Sequence, residues 1–124
     1  MSGVDADIGR QLATWGKVAI VETRGRRSGR AARAAVGFVE ETDGSLLVAA
    51  GDPNADWARN LEADPACEVT VGERTGSFLA EPLDGAERNA VIGGLILRYG
   101  TPAEGLGRGP VFRLRPVGRR DHAD

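Results

Sequence analysis

KVAIVETRGRRSGRAARAAVGFVEETDGSLLVAAG, residues 17–51, decides the fold class. Its first seven residues, Lys17–Thr23, are rich in β-branched side chains and read as a strand. RGRRSGR follows, too polar and glycine-rich for regular structure. Ala34–Glu41 reads as a second strand. Thr42-Asp43-Gly44 is a hairpin turn signal, and Ser45–Gly51 reads as a third strand. Strands joined this tightly must pair antiparallel, because a parallel partner needs a long crossover.

The same rhythm continues downstream. Asp52-Pro53 suits a helix start, with Asp as cap and Pro in the first turn, and the helix is expected to run to Ala63. Pro65 blocks its extension. In Ala66–Gly72, Cys67, Val69 and Val71 alternate with Glu68 and Thr70, the period of a half-buried strand. Glu73–Gly76 turns the chain and Ser77–Glu81 returns it. Asp84 with Glu87 has the spacing of a capping box, ahead of a helix whose Val91, Ile92, Leu95, Ile96 and Tyr99 share a broad face. A loose segment, Gly100–Gly109, precedes a last strand, Val111–Arg115. At the other end, Ile8, Leu12 and Trp15 fall on one face of an expected helix over residues 4–15. The reading is therefore mainly β with peripheral helices: about six antiparallel strands in a small barrel and three helices outside it. One domain over residues 1–116 and a polar, disordered tail over 117–124 account for the whole chain.

Composition narrows the function. The chain has 124 residues and a net charge of −2, so no global field draws it to nucleic acid or acidic lipid. No run approaches the ~20 apolar residues of a membrane span. Met1–Asp7 carries two acids and no basic region, unlike a signal peptide. One cysteine, Cys67, can form no internal disulfide, and its phase along the strand makes it a core thiol. These features point to the cytoplasm. One histidine, His122, lies in the polar tail, which argues against a His-based triad or metal site; no metal is expected. Arginine supplies fifteen of the sixteen basic residues, a mark of a GC-rich bacterial genome.

Two segments could carry chemistry. Arg24–Arg33 holds five arginines in ten residues and no acid. Guanidinium forks suit phosphate and carboxylate oxygens. Gly25 and Gly29 could turn backbone N–H groups toward an anion, and Ser28 could add a hydroxyl. A solvated basic turn would have the same composition. It is no P-loop, since GxxxxGK[ST] is absent, and Gly105–Gly109 is no dinucleotide fingerprint. The second segment, Gly51–Asn60, joins a strand end to a helix start, a frequent place for ligand contacts. Trp57 and Asn60 are neighbours on that helix; alternatively Trp57 is core and Asn60 a helix-side polar residue.

Taken in order, GRRSGR at 25–30, LVAAGDPNADWARNLEADP at 47–65 and PVFRLRP at 110–116 resemble the deazaflavin-dependent nitroreductase family, whose members use coenzyme F420. The resemblance spans residues 17–116. It implies a split β-barrel related to the flavin mononucleotide (FMN)-binding barrels. It implies that Arg26, Arg27, Ser28 and Gly29 hold the cofactor's phosphate and oligoglutamate tail. Arg33 and Ala34 would run beside the cofactor, Ala50 and Gly51 would meet the deazaflavin ring, and Trp57 and Asn60 would close the site. The chain departs from the family in having Ala at 31 and 35, where many members have Pro. It also has Gly51-Asp52, where many have Ser-Lys. A tyrosine-rich segment is reduced to Tyr99, the one candidate for the substrate pocket.

The implied activity is hydride transfer from reduced F420 to a small organic acceptor: a quinone, a nitro compound or an activated C=C. No residue is marked as catalytic, and Tyr99 or water would supply a proton. The alternatives are an FMN-binding oxidoreductase of the same fold, or a non-enzymatic protein that carries the cofactor. Neither nucleic acid nor an integral membrane segment is expected, and the protein would be a monomer or homodimer.

Overall fold

A computed structural model describes residues 18–99 and 108–117. The expected first helix, most of the loose segment and all of the polar tail after Val117, with His122, lie outside the described residues. Among the described residues there are seven strands: β1 (Ala19–Arg24), β2 (Ala31–Val36), β3 (Val39–Glu40), β4 (Leu46–Ala49), β5 (Ala66–Val71), β6 (Arg74–Leu83) and β7 (Val111–Pro116). Two helices accompany them, α1 (Asp56–Ala63) and α2 (Gly85–Tyr99).

All neighbouring strands are antiparallel, in the order β2-β1-β5-β6-β7-β4-β3. β2 and β3 are consecutive in the chain yet sit at opposite edges, so the sheet curls round to bring them close. The curl encloses a core of alternate side chains: Val21, Val48, Val69, Phe112 and Leu114 are buried there. The other phase of β1 and β5, with Glu22 and Glu68, faces outward. α1 seats Ala58 and Leu61 against the inner cluster. α2 covers the opposite face at β4, β6 and β7, where Val91 and Leu95 meet Ala49, Leu83 and Val111. β4 is therefore packed on both faces, which explains its unbroken apolar run.

Three differences from the sequence expectation have a visible physical cause. The strand expected over 34–41 is two strands, broken at Gly37-Phe38. The Phe38 N–H donates to the Tyr99 hydroxyl (3.1 Å), which itself donates to the Phe38 carbonyl (3.3 Å). The Tyr99 ring lies so close that a Cβ at position 37 would come within 3.0 Å of Cε2. A side chain spanning 61 residues of sequence thus satisfies the backbone where it leaves one edge for the other. Second, the helix begins at Asp56, not Asp52. The Asp52 carboxylate accepts from the Asn54 N–H (2.8 Å), and the Asp52 carbonyl accepts from Ala55 (3.0 Å). The aspartate has made a local turn in preference to a helix cap. Third, the return strand runs from Arg74 to Leu83, longer than 77–81, because β7 pairs along its second half.

Candidate functional site

β1 ends at Arg24, β2 begins at Ala31, and the turn between them is closed by its own backbone. The Gly25 N–H donates to the Arg30 carbonyl (2.7 Å) and the Gly29 N–H to the Gly25 carbonyl (2.9 Å). The Arg30 N–H donates to Ser28 Oγ (3.1 Å). Gly29 has φ +75°, and a Cβ on Gly25 would press on Ser28 Oγ and the Arg30 carbonyl, so both glycines are needed. The N–H groups of Gly25 and Gly29 are consumed in closing the turn; they do not point at an anion as the sequence suggested. What the turn offers outward is side chains. Arg24, Arg27 and Arg30 are exposed and have no carboxylate partner among the described residues.

Arg26 differs from its neighbours. Its N–H and its Nη1 both donate to Asn60 Oδ1 (3.1 and 2.8 Å), and Nη2 reaches Asp56 Oδ1 at 3.3 Å. Asn60 is 1% exposed, and its Nδ2 donates to Thr23 Oγ1 (3.0 Å). A chain of polar contacts, buried at Asn60 and Thr23 and opening to the surface at Arg26 and Asp56, thus ties α1 to the end of β1 and to the basic turn.

The remaining expected residues divide by sheet face. Ala34, Ala50 and Trp57 belong to the inner cluster, Trp57 half-buried with its ring tilted against Phe112 at 6.1 Å. Gly51 is exposed at the end of β4. Arg33 lies on the outer face, away from α1, where its Nε donates to Glu22 (2.9 Å). It borders a trough of about 540 Å³ shared with Ile20, Glu68 and Thr70. The structure therefore puts Ala34, Ala50 and Trp57 in one inner cluster and joins Arg26 to Asn60 on α1, with Arg27, Ser28 and Gly29 on the same turn as Arg26. Arg33 stands apart. Tyr99 sits at the β2–β3 break, and the Arg98 guanidinium stacks on Phe38 at 4.7 Å. A cleft of about 610 Å³ flanks the turn on its other side, reached by Arg24 and Gly29 and floored by Ala31, Phe78 and Leu79. Cys67 lines it, and burial pushes its thiol up to about 12, with the Asp64 charge adding to the shift.

Sequence reasoning missed Thr23, Asp56 and Gly109. Thr23 and Asp56 matter only through partners more than 25 residues away. Gly109 is buried against the Ala50 carbonyl, where any Cβ would collide, and the Pro110 carbonyl accepts from the Ala50 N–H (2.9 Å). The glycine cluster before β7 carried that signal but reads equally as a loose loop.

The profile of the F420H(2)-dependent quinone reductase family matches residues 1–100. The chain belongs to that family. It is accordingly an oxidoreductase, an F420H2-dependent reductase with a split-barrel fold. Among solved structures, that of F420-H2 dependent reductase FDR-A is 24% identical, with a TM-score of 0.68 over 80% of this chain and 94% of the other. HutZ, a heme storage protein from Vibrio cholerae, is 23% identical, with a TM-score of 0.65 over 93% of this chain and 89% of its own. A heme binding protein from Mycobacterium smegmatis is 19% identical, with a TM-score of 0.67 over 90% of this chain and 50% of the other. At these identities the structural likenesses establish the fold alone. No curated protein matches the chain by sequence. Among the described residues, no helix is long and apolar enough to cross a membrane.

Proposed function

We propose that this chain passes a hydride from reduced F420 to a small organic acceptor of the quinone class, and that the arginine turn holds the cofactor's anionic tail. One observation carries the second half: exposed Arg27 and Arg30 stand on a turn rigidly closed by its own hydrogen bonds, with exposed Arg24 beside them at the end of β1, and none of the three has a carboxylate partner among the described residues. A phosphate followed by carboxylates needs several cations in a row, and this donor set fits it. When bound, the reduced deazaflavin supplies the hydride. The protein's part is to hold, orient and exclude water. Arg24, Arg27 and Arg30 would bind the tail. Ala34 and Gly51, with little or no side chain, would leave room for a planar ring, with the buried Ala50 and the half-buried Trp57 backing them. The Tyr99 hydroxyl is committed to the Phe38 backbone, so the acceptor's proton would come from water. The activity would be cytoplasmic, in a monomer or homodimer.

The test is to incubate the protein with reduced F420 and menadione and follow the return of deazaflavin absorbance. Oxidation that needs both protein and quinone is the expected result. Parallel titrations with F420, FMN and heme should show F420 bound tightest. Preference for FMN or heme, with no quinone-dependent turnover, would overturn the proposal in favour of a flavoprotein or a carrier.

A further inference from the structure

We propose that Asn60 and Arg26 form an internal latch that positions the basic turn, and that Arg24, Arg27 and Arg30, not Arg26, are its anion-binding arginines. The inference rests on the F420 reading above. It divides a motif that looks uniform in sequence into positioning and binding residues.

The hydrogen-bond inventory of Asn60 carries it. An amide oxygen accepts two hydrogen bonds, and Oδ1 has both, one from the Arg26 backbone and one from its guanidinium. Nδ2 donates to Thr23, itself buried. With 1% of its surface exposed, Asn60 offers no ligand a free acceptor or an open approach. It is a positioning residue, and what it positions is the first residue of the turn after Gly25. Arg26 in turn spends its guanidinium on Asn60 and Asp56, so part of its charge is already matched. Its planar fork reaches Asn60 and Asp56 with two separate nitrogens, a span that the single nitrogen of a lysine ammonium does not reproduce. Arg24, Arg27 and Arg30 carry no such commitments among the described residues.

The latch also explains why Asn is needed at position 60. Aspartate would keep the acceptor but bury a charge beside Thr23 and add an acid beneath an anion site. Leucine or alanine would leave the Arg26 N–H without its partner.

The experiment measures F420 affinity by fluorescence titration over a series of salt concentrations, with a melting curve for each variant. Arg27→Ala should raise Kd about tenfold and flatten its dependence on salt, because a cation that pairs with the ligand has been lost. Arg26→Ala should also raise Kd several-fold, yet leave the salt dependence as in the parent. Arg26→Lys should behave like Arg26→Ala, since charge without the fork cannot close the latch. Asn60→Ala should match Arg26→Ala, and the double variant should be no weaker than either single one. Should Asn60→Ala fail to fold, the two Arg26 variants decide. If Arg26→Lys binds as the parent does, or Arg26→Ala flattens the salt dependence as Arg27→Ala does, Arg26 is a ligand residue and the latch is refuted. Failure of the F420 reading itself looks different: Arg24→Ala, Arg27→Ala and Arg30→Ala would all bind F420 as the parent does.

Discussion

Replacing Arg113 by methionine should cost the fold about 2–3 kcal/mol, though the residue lies on the surface of β7. Its side chain is only 17% exposed and gathers three carboxylates from three elements. Nε and Nη2 grip Glu41 at 2.8 and 3.4 Å, and Nη1 meets Glu87 at 3.2 Å and Glu81 at 3.7 Å. A hydrogen bond to a charged group contributes about 1.5–3 kcal/mol. Glu41 is about a third exposed, so the forked pair belongs at the lower end of that range. Glu81 and Glu87 are more exposed and add about 0.5 kcal/mol each at most. Methionine keeps the apolar stem but leaves three like charges converging on one spot. At about 4 °C per kcal/mol for a chain of this length, the melting temperature should fall by roughly 8–12 °C. Donating hydrogen bonds to the Glu41 carboxylate raises the Arg113 guanidinium above its ordinary range, although desolvation opposes it. A raised folded value keeps the contribution intact below the unfolded value, so it persists across the alkaline range open to experiment. Circular-dichroism melts of parent and Arg113→Met across pH test this. A difference under about 0.5 kcal/mol at neutral pH, or a gap that closes as the pH is raised into the alkaline range, would refute the reasoning.

Two further effects follow from the turn and the thiol. Gly29→Ala must hold an alanine at φ +75°, at a cost of about 1–2 kcal/mol, with open space around the new methyl. A lower melting temperature with weaker F420 binding is expected; Gly25→Ala should act similarly by crowding the Arg30 carbonyl, and unchanged affinity in both would separate the turn from the cofactor. Cys67 should resist alkylation in the native protein at neutral pH, since burial holds its thiol near 12. Its folded value lies above the unfolded one of about 9, so stability should fall by up to about 1.4 kcal/mol per pH unit between the two; Cys67→Ala should flatten that slope, and rapid labelling at neutral pH would contradict the assignment.

The barrel was legible because its determinants are local. Period-two burial in β1 and β5, the Thr42-Asp43-Gly44 turn and Pro65 each act within a few residues. The errors arose where a distant group outbid a local one, as when Tyr99 broke the strand at Phe38, or where two local choices competed. Asp52 could cap a helix or bond Asn54, and nothing nearby in sequence selects between them. The site shows the same division. A cluster of five arginines is visible as a cluster, but whether a guanidinium faces a ligand, an asparagine or a glutamate is set by strand register and helix placement. Arg33 pairs with Glu22 because β1 and β2 place them directly opposite, and Arg26 pairs with Asn60 because α1 crosses beneath the turn.

That division bears on what distinguishes this chain from others of its fold. Heme-binding proteins share the curled sheet, so the barrel does not choose the ligand. A choice made by residues must lie where the sheet leaves freedom, and the β1–β2 connection is such a place. Its backbone is fixed by Gly25, Gly29 and Ser28, its base is tied to α1 through Asn60, and the outward guanidinia of Arg27 and Arg30 have no carboxylate partner among the described residues. Preorganisation matters because ordering a long arginine on binding costs about 0.5–1.5 kcal/mol for each side chain. The fixed backbone lowers the part of that cost that comes from the loop. A flexible loop of equal charge would still attract anions, but with less affinity and with no preference for the spacing of phosphate and carboxylates along one ligand. Selectivity between F420 and a singly phosphorylated flavin should therefore shrink when the latch is opened, even though the number of arginines stays the same. Asn60→Ala, titrated with F420 and with FMN, measures that directly: the ratio of the two dissociation constants should move toward unity. A ratio equal to the parent's would mean that charge alone, not its placement, sets the preference.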